Sequence, residues 1–132
     1  MPQTTFSGGA QQSSKHHHVT AVPSGIGLFE RALALDPQSV EAQSRLAQLL
    51  VARVMDQMTD SAAADTERAV VLVGQALAAS PRSFLPHFAK AQLLRAQGRY
   101  PDAIPEYGTA LALNRNWATG YGHLGWCKLR NV

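Results

Sequence analysis

The residues best suited to chemistry crowd into one short run, Tyr121-Gly122-His123-Leu124-Gly125-Trp126, with Cys127 directly after it. Two glycines around a histidine have the look of a ligand loop, and a cysteine beside them has the look of a nucleophile. The thiol is not set up to attack: no basic neighbour precedes Lys128, so nothing draws it toward thiolate. Being the only cysteine, it also cannot close an internal disulfide, and nothing points to an oxidising compartment. His16, His17 and His18 could bind a transition metal weakly, but a structural zinc site needs four ligands at fixed spacing, and nothing nearby supplies them. A phosphate-binding P-loop, an H-E-x-x-H zinc helix and a G-x-S-x-G nucleophile turn are all missing from the sequence. The expectation is a protein that is not an enzyme, with no catalytic residue, no metal and no cofactor.

Charge and hydropathy narrow the partners. Twelve Lys and Arg against nine Asp and Glu give a net charge of +3. The two signs alternate through the body of the chain, without the basic run or motif that nucleic-acid binding calls for. The longest apolar stretch, Ala69 to Ala79, is broken by Gly74 and Gln75 and falls short of the roughly 20 residues that span a bilayer. No signal-peptide core opens the sequence. The expectation is a cytoplasmic protein that engages neither nucleic acid nor membrane.

The elements that must position these residues are helices. Residues 1–23 are rich in Gln, Ser, Thr and Gly and carry one charge, Lys15, so they cannot bury enough apolar surface to offset their ordering entropy and read as a flexible tail. From residue 24 the pattern turns helical. Ile26, Phe29 and Leu33 recur at steps of three and four, and Leu46, Leu49, Leu50 and Val54 continue the stripe. Asp36-Pro37, Ser80-Pro81, Gly98 and Tyr100-Pro101-Asp102 punctuate it. The spacing predicts six helices, over 25–35, 39–57, 62–79, 83–97, 101–113 and 117–130, and no strand pattern competes.

The chain also resembles itself. Ala32-Leu33-Ala34-Leu35-Asp36-Pro37, Ala76-Leu77-Ala78-Ala79-Ser80-Pro81 and Ala110-Leu111-Ala112-Leu113-Asn114-Arg115 are three versions of one helix ending. The last two are 34 residues apart and the first two 44. A 34-residue helix–turn–helix period with an A-L-x-L-D/N-P ending resembles the tetratricopeptide repeat (TPR) family. The regular unit is 84–117, where Ala91, Gly98, Tyr100, Ala103, Tyr107 and Ala110 fall on the family's small, turn and aromatic positions. A half repeat covers 25–37, a long repeat 40–83 and a partial repeat 118–132, so the resemblance covers about four-fifths of the chain. His87, Lys90, Pro105 and Arg115 depart from the pattern, as do ten extra residues between Leu50 and Ala69.

The resemblance implies an all-α fold, a right-handed superhelix of antiparallel hairpins, since one hairpin cannot bury both faces and each leans on the next. It implies that the first helix of each repeat lines a concave groove. The positions so aligned include Glu41, Arg45, Gln48 and Ala52, then Leu85, Phe88, Ala89, Gln92 and Arg95, then Thr119, Gly122, His123, Trp126 and Arg130. Of these, Arg45, Gln48, Phe88, Gln92, Arg95, His123, Trp126 and Arg130 are the candidate contacts to a protein or peptide partner. Aromatics mixed with Arg are common at binding hot spots, and the arginines suit an acidic peptide or a terminal carboxylate. The competing assignment puts the arginines in solvent and Phe88 and Trp126 in the core. The Lys and Asn set with which some TPR proteins clamp a C-terminal carboxylate is not matched by Ser44, Gln48, Phe88 and Gln92. In the same register Gly125 becomes a packing position and His123 faces the groove. Half repeats at both ends leave Leu124, Trp126 and Leu129 partly uncovered, which implies a longer array or self-association through the terminal helices. The run from Ile26 to Pro37 also resembles TPR tails of bacterial nucleotide cyclases and regulators, which implies, as the alternative function, a regulatory or assembly piece of a larger signalling enzyme.

Overall fold

A computed structural model describes residues 21–131, and the His16–His18 run lies outside them. Six helices follow one another: α1 Ala21–Leu35, α2 Val40–Met55, α3 Ala62–Ala79, α4 Phe84–Ala96, α5 Tyr100–Leu113 and α6 Ala118–Arg130. No strand occurs among the described residues. Helix α1 begins five residues before the apolar stripe opens at Ile26, and runs through Pro23. In a first turn the missing proline N–H has no helical partner to lose, so the helix extends past its own hydrophobic pattern.

Local signals set the ends. The Ser39 hydroxyl caps α2, accepting from the Ala42 N–H at 3.2 Å, with Glu41 in the first turn and Arg53 in the last, where each charge suits the helix dipole. Helix α4 closes with two bonds, from the Arg99 N–H to the Leu94 carbonyl and from the Gly98 N–H to the Arg95 carbonyl. This closure requires a left-handed residue between, and Gly98 supplies it at φ 74°. Helix α2 ends the same way, Met58 to Arg53 and Gln57 to Val54, but here Gln57 holds the left-handed position at φ 58°.

The ten extra residues of the long repeat are shared out. Compared with the regular repeat, three lengthen the first helix, three the turn and four the second helix. The longer hairpin is tied across its mouth by Arg53, whose Nε and Nη2 donate to the two Asp65 oxygens at 3.0 and 2.8 Å. That bond holds the Asp65 carboxyl below its ordinary range, against the opposing effect of burial.

Each helix packs on the next, and α4 also packs on α2, so the hairpins step along an axis. Two cores result. Ile26, Leu46, Leu50, Leu72, Val73 and Leu93 fill the first around Ala47, Ala69 and Ala89. Ala91, Leu94, Ala103, Tyr107 and Cys127 make the second. Helix α4 contributes to both. Ala89, placed in the groove by the repeat register, is instead fully buried in the first core.

Two of the departures from the repeat pattern answer each other. His87 Nδ1 lies 2.8 Å and Lys90 Nζ 3.5 Å from the Glu106 carboxylate, so two polar residues on α4 and one on α5 satisfy one another across the hairpin. Pro105 lies exposed on α5, where its missing backbone bond costs least, and the helix runs through it. At the two ends apolar side chains stay uncovered among the described residues: Leu35 is 88% exposed on α1 and Leu129 75% on α6, while Leu124 is half-buried.

The left-handed Gln57 is a removable cost. Gln57→Gly should stabilise the chain by about 1 kcal/mol in urea unfolding, because a left-handed conformation costs a side-chain-bearing residue about that much. A neutral or destabilising result would show that the α2 closure is not held as described.

Candidate partner-binding groove

Helical spacing puts the candidates in line. Phe88, Gln92 and Arg95 stand at steps of four and three along α4, and His123, Trp126 and Arg130 at steps of three and four along α6, so each trio forms one stripe. The two stripes face each other. The backbones of α4 and α6 do not approach as α2 and α4 do, and long side chains fill the space between them.

Phe88 lies 5.7 Å from Phe84 and 4.3 Å from Trp117, centroid to centroid, in stacked and edge-on contacts. His123 stacks on Tyr107 at 5.6 Å with ring planes 20° apart. Tyr107 is fully buried, and its hydroxyl donates to Gln92 Oε1 at 2.6 Å, which fixes the Gln92 amide. Burial pushes the Tyr107 hydroxyl pKa far up, so it stays a donor.

Arg95 crosses the groove. Its Nη1 reaches His123 Nδ1 at 2.9 Å, and its guanidinium carbon lies 5.2 Å from the centre of the Trp126 ring. Since Arg only donates, Nδ1 is the acceptor and the His123 proton sits on Nε2. Arg130 lies against the same indole at 5.5 Å, and Tyr100 meets it edge-on at 5.5 Å. Trp126 keeps 43% of its surface open.

Six of the eight candidate residues therefore gather: Phe88, Gln92, Arg95, His123, Trp126 and Arg130. Arg45 does not join them. It is exposed and pairs within its own helix with Glu41 at 3.1 Å. Gln48 has its side-chain nitrogen shut away from solvent with no hydrogen-bond partner among the described residues. Of the two aromatics that could belong to either groove or core, Phe88 is half-buried among rings, while Trp126 is exposed.

Sequence reasoning missed Trp117, which joins Phe84, Phe88, Tyr107 and His123 into one aromatic group. The available signal was the spacing Trp117-x-x-Gly120. A Cβ on Gly120 would fall 2.0 Å from the Trp117 ring, so only glycine lets the indole lie against the first turn of α6. Gly125 is not the packing glycine the register suggested. A Cβ there would meet nothing within 4 Å, because it lies on an uncovered face of α6. Cys127 is fully buried, and burial pushes its thiol up, with Arg95 opposing weakly.

Burial, and then the Arg95 charge, hold His123 below its ordinary 6.5. Folding therefore disfavours the imidazolium. The stabilisation is full above the ordinary value of 6.5 and is lost as pH falls through the lowered folded value. The His123 ring signals should titrate in NMR below those of a free histidine, and His123→Gln should flatten this part of the stability–pH curve. Titration at or above 6.5 would contradict the Arg95–His123 geometry.

No family model matches the chain, and no curated protein matches it. Sixteen solved chains match it in structure. One, MamA MSR-1 C2, superposes with a TM-score of 0.55 at 24% sequence identity, over 85% of this chain and 59% of that one. The chain thus spans about three-fifths of the length of that structure. At this identity the likeness speaks for fold alone: an all-α, TPR-like solenoid of antiparallel helical hairpins in a right-handed superhelix.

Proposed function

We propose that the chain is a non-catalytic interaction module that holds a peptide or protein segment in the groove between the α4 and α6 stripes. One observation carries this reading: the groove side chains are fixed before any partner arrives, yet stay partly open. Tyr107 orients Gln92, Tyr107 and Arg95 hold His123, and Tyr100 abuts the half-open Trp126. Side chains immobilised in the free protein lose little entropy on binding, which is what a recognition surface needs. An open aromatic flanked by arginines is the composition of a hot spot.

A peptide library selected on the intact chain supplies the ligand for the test. Trp126→Ala should weaken the selected peptide by about 2 kcal/mol, near 30-fold, in a fluorescence-anisotropy titration. Arg82→Ala, an exposed residue in the turn before α4, should leave it unchanged. Equal affinity of the Trp126 variant and the parent chain would rule out this groove as the binding surface.

A further inference from the structure

We propose that the end of the groove at Trp126 is a carboxylate subsite, and that the partner segment it takes is an acidic peptide. The proposal rests on the reading of the groove as a peptide-binding surface and adds the chemistry of the occupant.

The first observation concerns charge. Helices α4 and α6, whose stripes form the groove, contain no Asp or Glu, while they carry Lys90, Arg95, Lys128 and Arg130. Glu106 of α5 engages Lys90 at 3.5 Å, away from the Trp126 end. Among the described residues, positive charge on the two helices is thus left without a paired carboxylate where Arg95 and Arg130 converge.

The second observation concerns pairing. Arg45, Arg53, Arg68 and Arg99 each hold a carboxylate within 3.1 Å. Arg95 and Arg130 hold none among the described residues, although they converge on one indole ring. Other unpaired cations, such as Arg82 and Arg115, are simply exposed. Arg95 is not: its Nε is shut from solvent with no hydrogen-bond partner, and its two terminal nitrogens meet only a neutral imidazole at 2.9 Å and the Met55 sulfur at 3.9 Å. A partly desolvated guanidinium held by weak, uncharged acceptors gains most from an anion, because charge-assisted bonds are the strong ones and a forked donor matches a carboxylate.

The third observation selects the carrier of that carboxylate. The indole of Trp126 is open, and Leu129, about one turn further along the same helix, is also exposed. An acidic side chain can reach the guanidiniums while a neighbouring apolar side chain covers the indole. A peptide alternating the two matches the site better than a small free anion does.

The test uses the full 132-residue chain, isotopically labelled, and follows the Trp126 indole N–H and the arginine Nε–H signals by NMR. Three probes are compared: a short peptide alternating Glu with Leu, the same peptide with Gln for Glu, and an oligouridylate of equal charge. The Glu peptide should shift the Trp126 and Arg95 signals and bind at least about tenfold more tightly than the Gln peptide. Arg130→Gln, an exposed change that leaves both cores intact, should remove about tenfold of that affinity, and Arg130→Lys should restore only part, since Lys lacks the fork. Equal binding of the Glu and Gln peptides would overturn the carboxylate subsite while leaving the groove. Tighter binding of the oligouridylate would overturn the peptide as occupant. No shift with any probe would overturn the subsite, whereas the groove itself stands or falls on the selected peptide and Trp126→Ala.

Discussion

Close approach of helix backbones at alanine is the constraint on which the rest depends. Ala47, Ala69, Ala76, Ala89, Ala91, Ala103 and Ala110 are all fully buried. At each, a larger side chain would push two helices apart, and closely packed interiors have no slack to absorb it. The large residues, Leu46, Leu50, Leu94 and Tyr107, then fill the space beside these crossings. Helix α4 carries this furthest. It places Ala89 and Leu93 in one core and Ala91 and Leu94 in the other, so neighbouring hairpins share an element and cannot turn independently.

The groove follows from that sharing. With two of its faces committed to cores, α4 has one stripe left, and Phe88, Gln92 and Arg95 occupy it. Helix α6 is seated by Cys127 and Leu124 against the second core, which turns His123 and Trp126 toward α4. Where α2 and α4 meet through alanine, α4 and α6 meet through rings and a guanidinium. The proposed groove is thus, among the described residues, a place where the small-residue rule is relaxed and large side chains bridge the space. Trp117, lodged against Gly120, fills the base of that space and sets the height at which His123 and Phe88 stand.

Much of this was legible in the residues. Helix periodicity and the Pro and Gly punctuation gave each helix to within a few residues, and the 34-residue step placed six groove positions on facing stripes. What escaped had tertiary causes. No local rule announces that Glu106 will answer His87 and Lys90 across a hairpin, so those residues read as departures. Gly125 and Gly120 look alike in sequence, and only the indole that lands on one of them tells them apart. Ala89 belongs to the groove in the register but to the core in space, because α2 packs close against α4 there. Arg45 lies on the right helix, yet its nearest carboxylate is one turn away on the same helix, and that local pair keeps it out of the cluster.

The most direct measurement is a pair of substitutions on one helix, followed by urea unfolding. Ala103 is fully buried where α5 meets the second core, and Ala112 is exposed on the same helix. Ala103→Leu should cost about 1–3 kcal/mol, and Ala112→Leu should stay within about 0.5 kcal/mol of the parent chain. Equal stability of the two variants would mean that the hairpins are not held by close backbone approach at alanine, and the account built on that packing would fail.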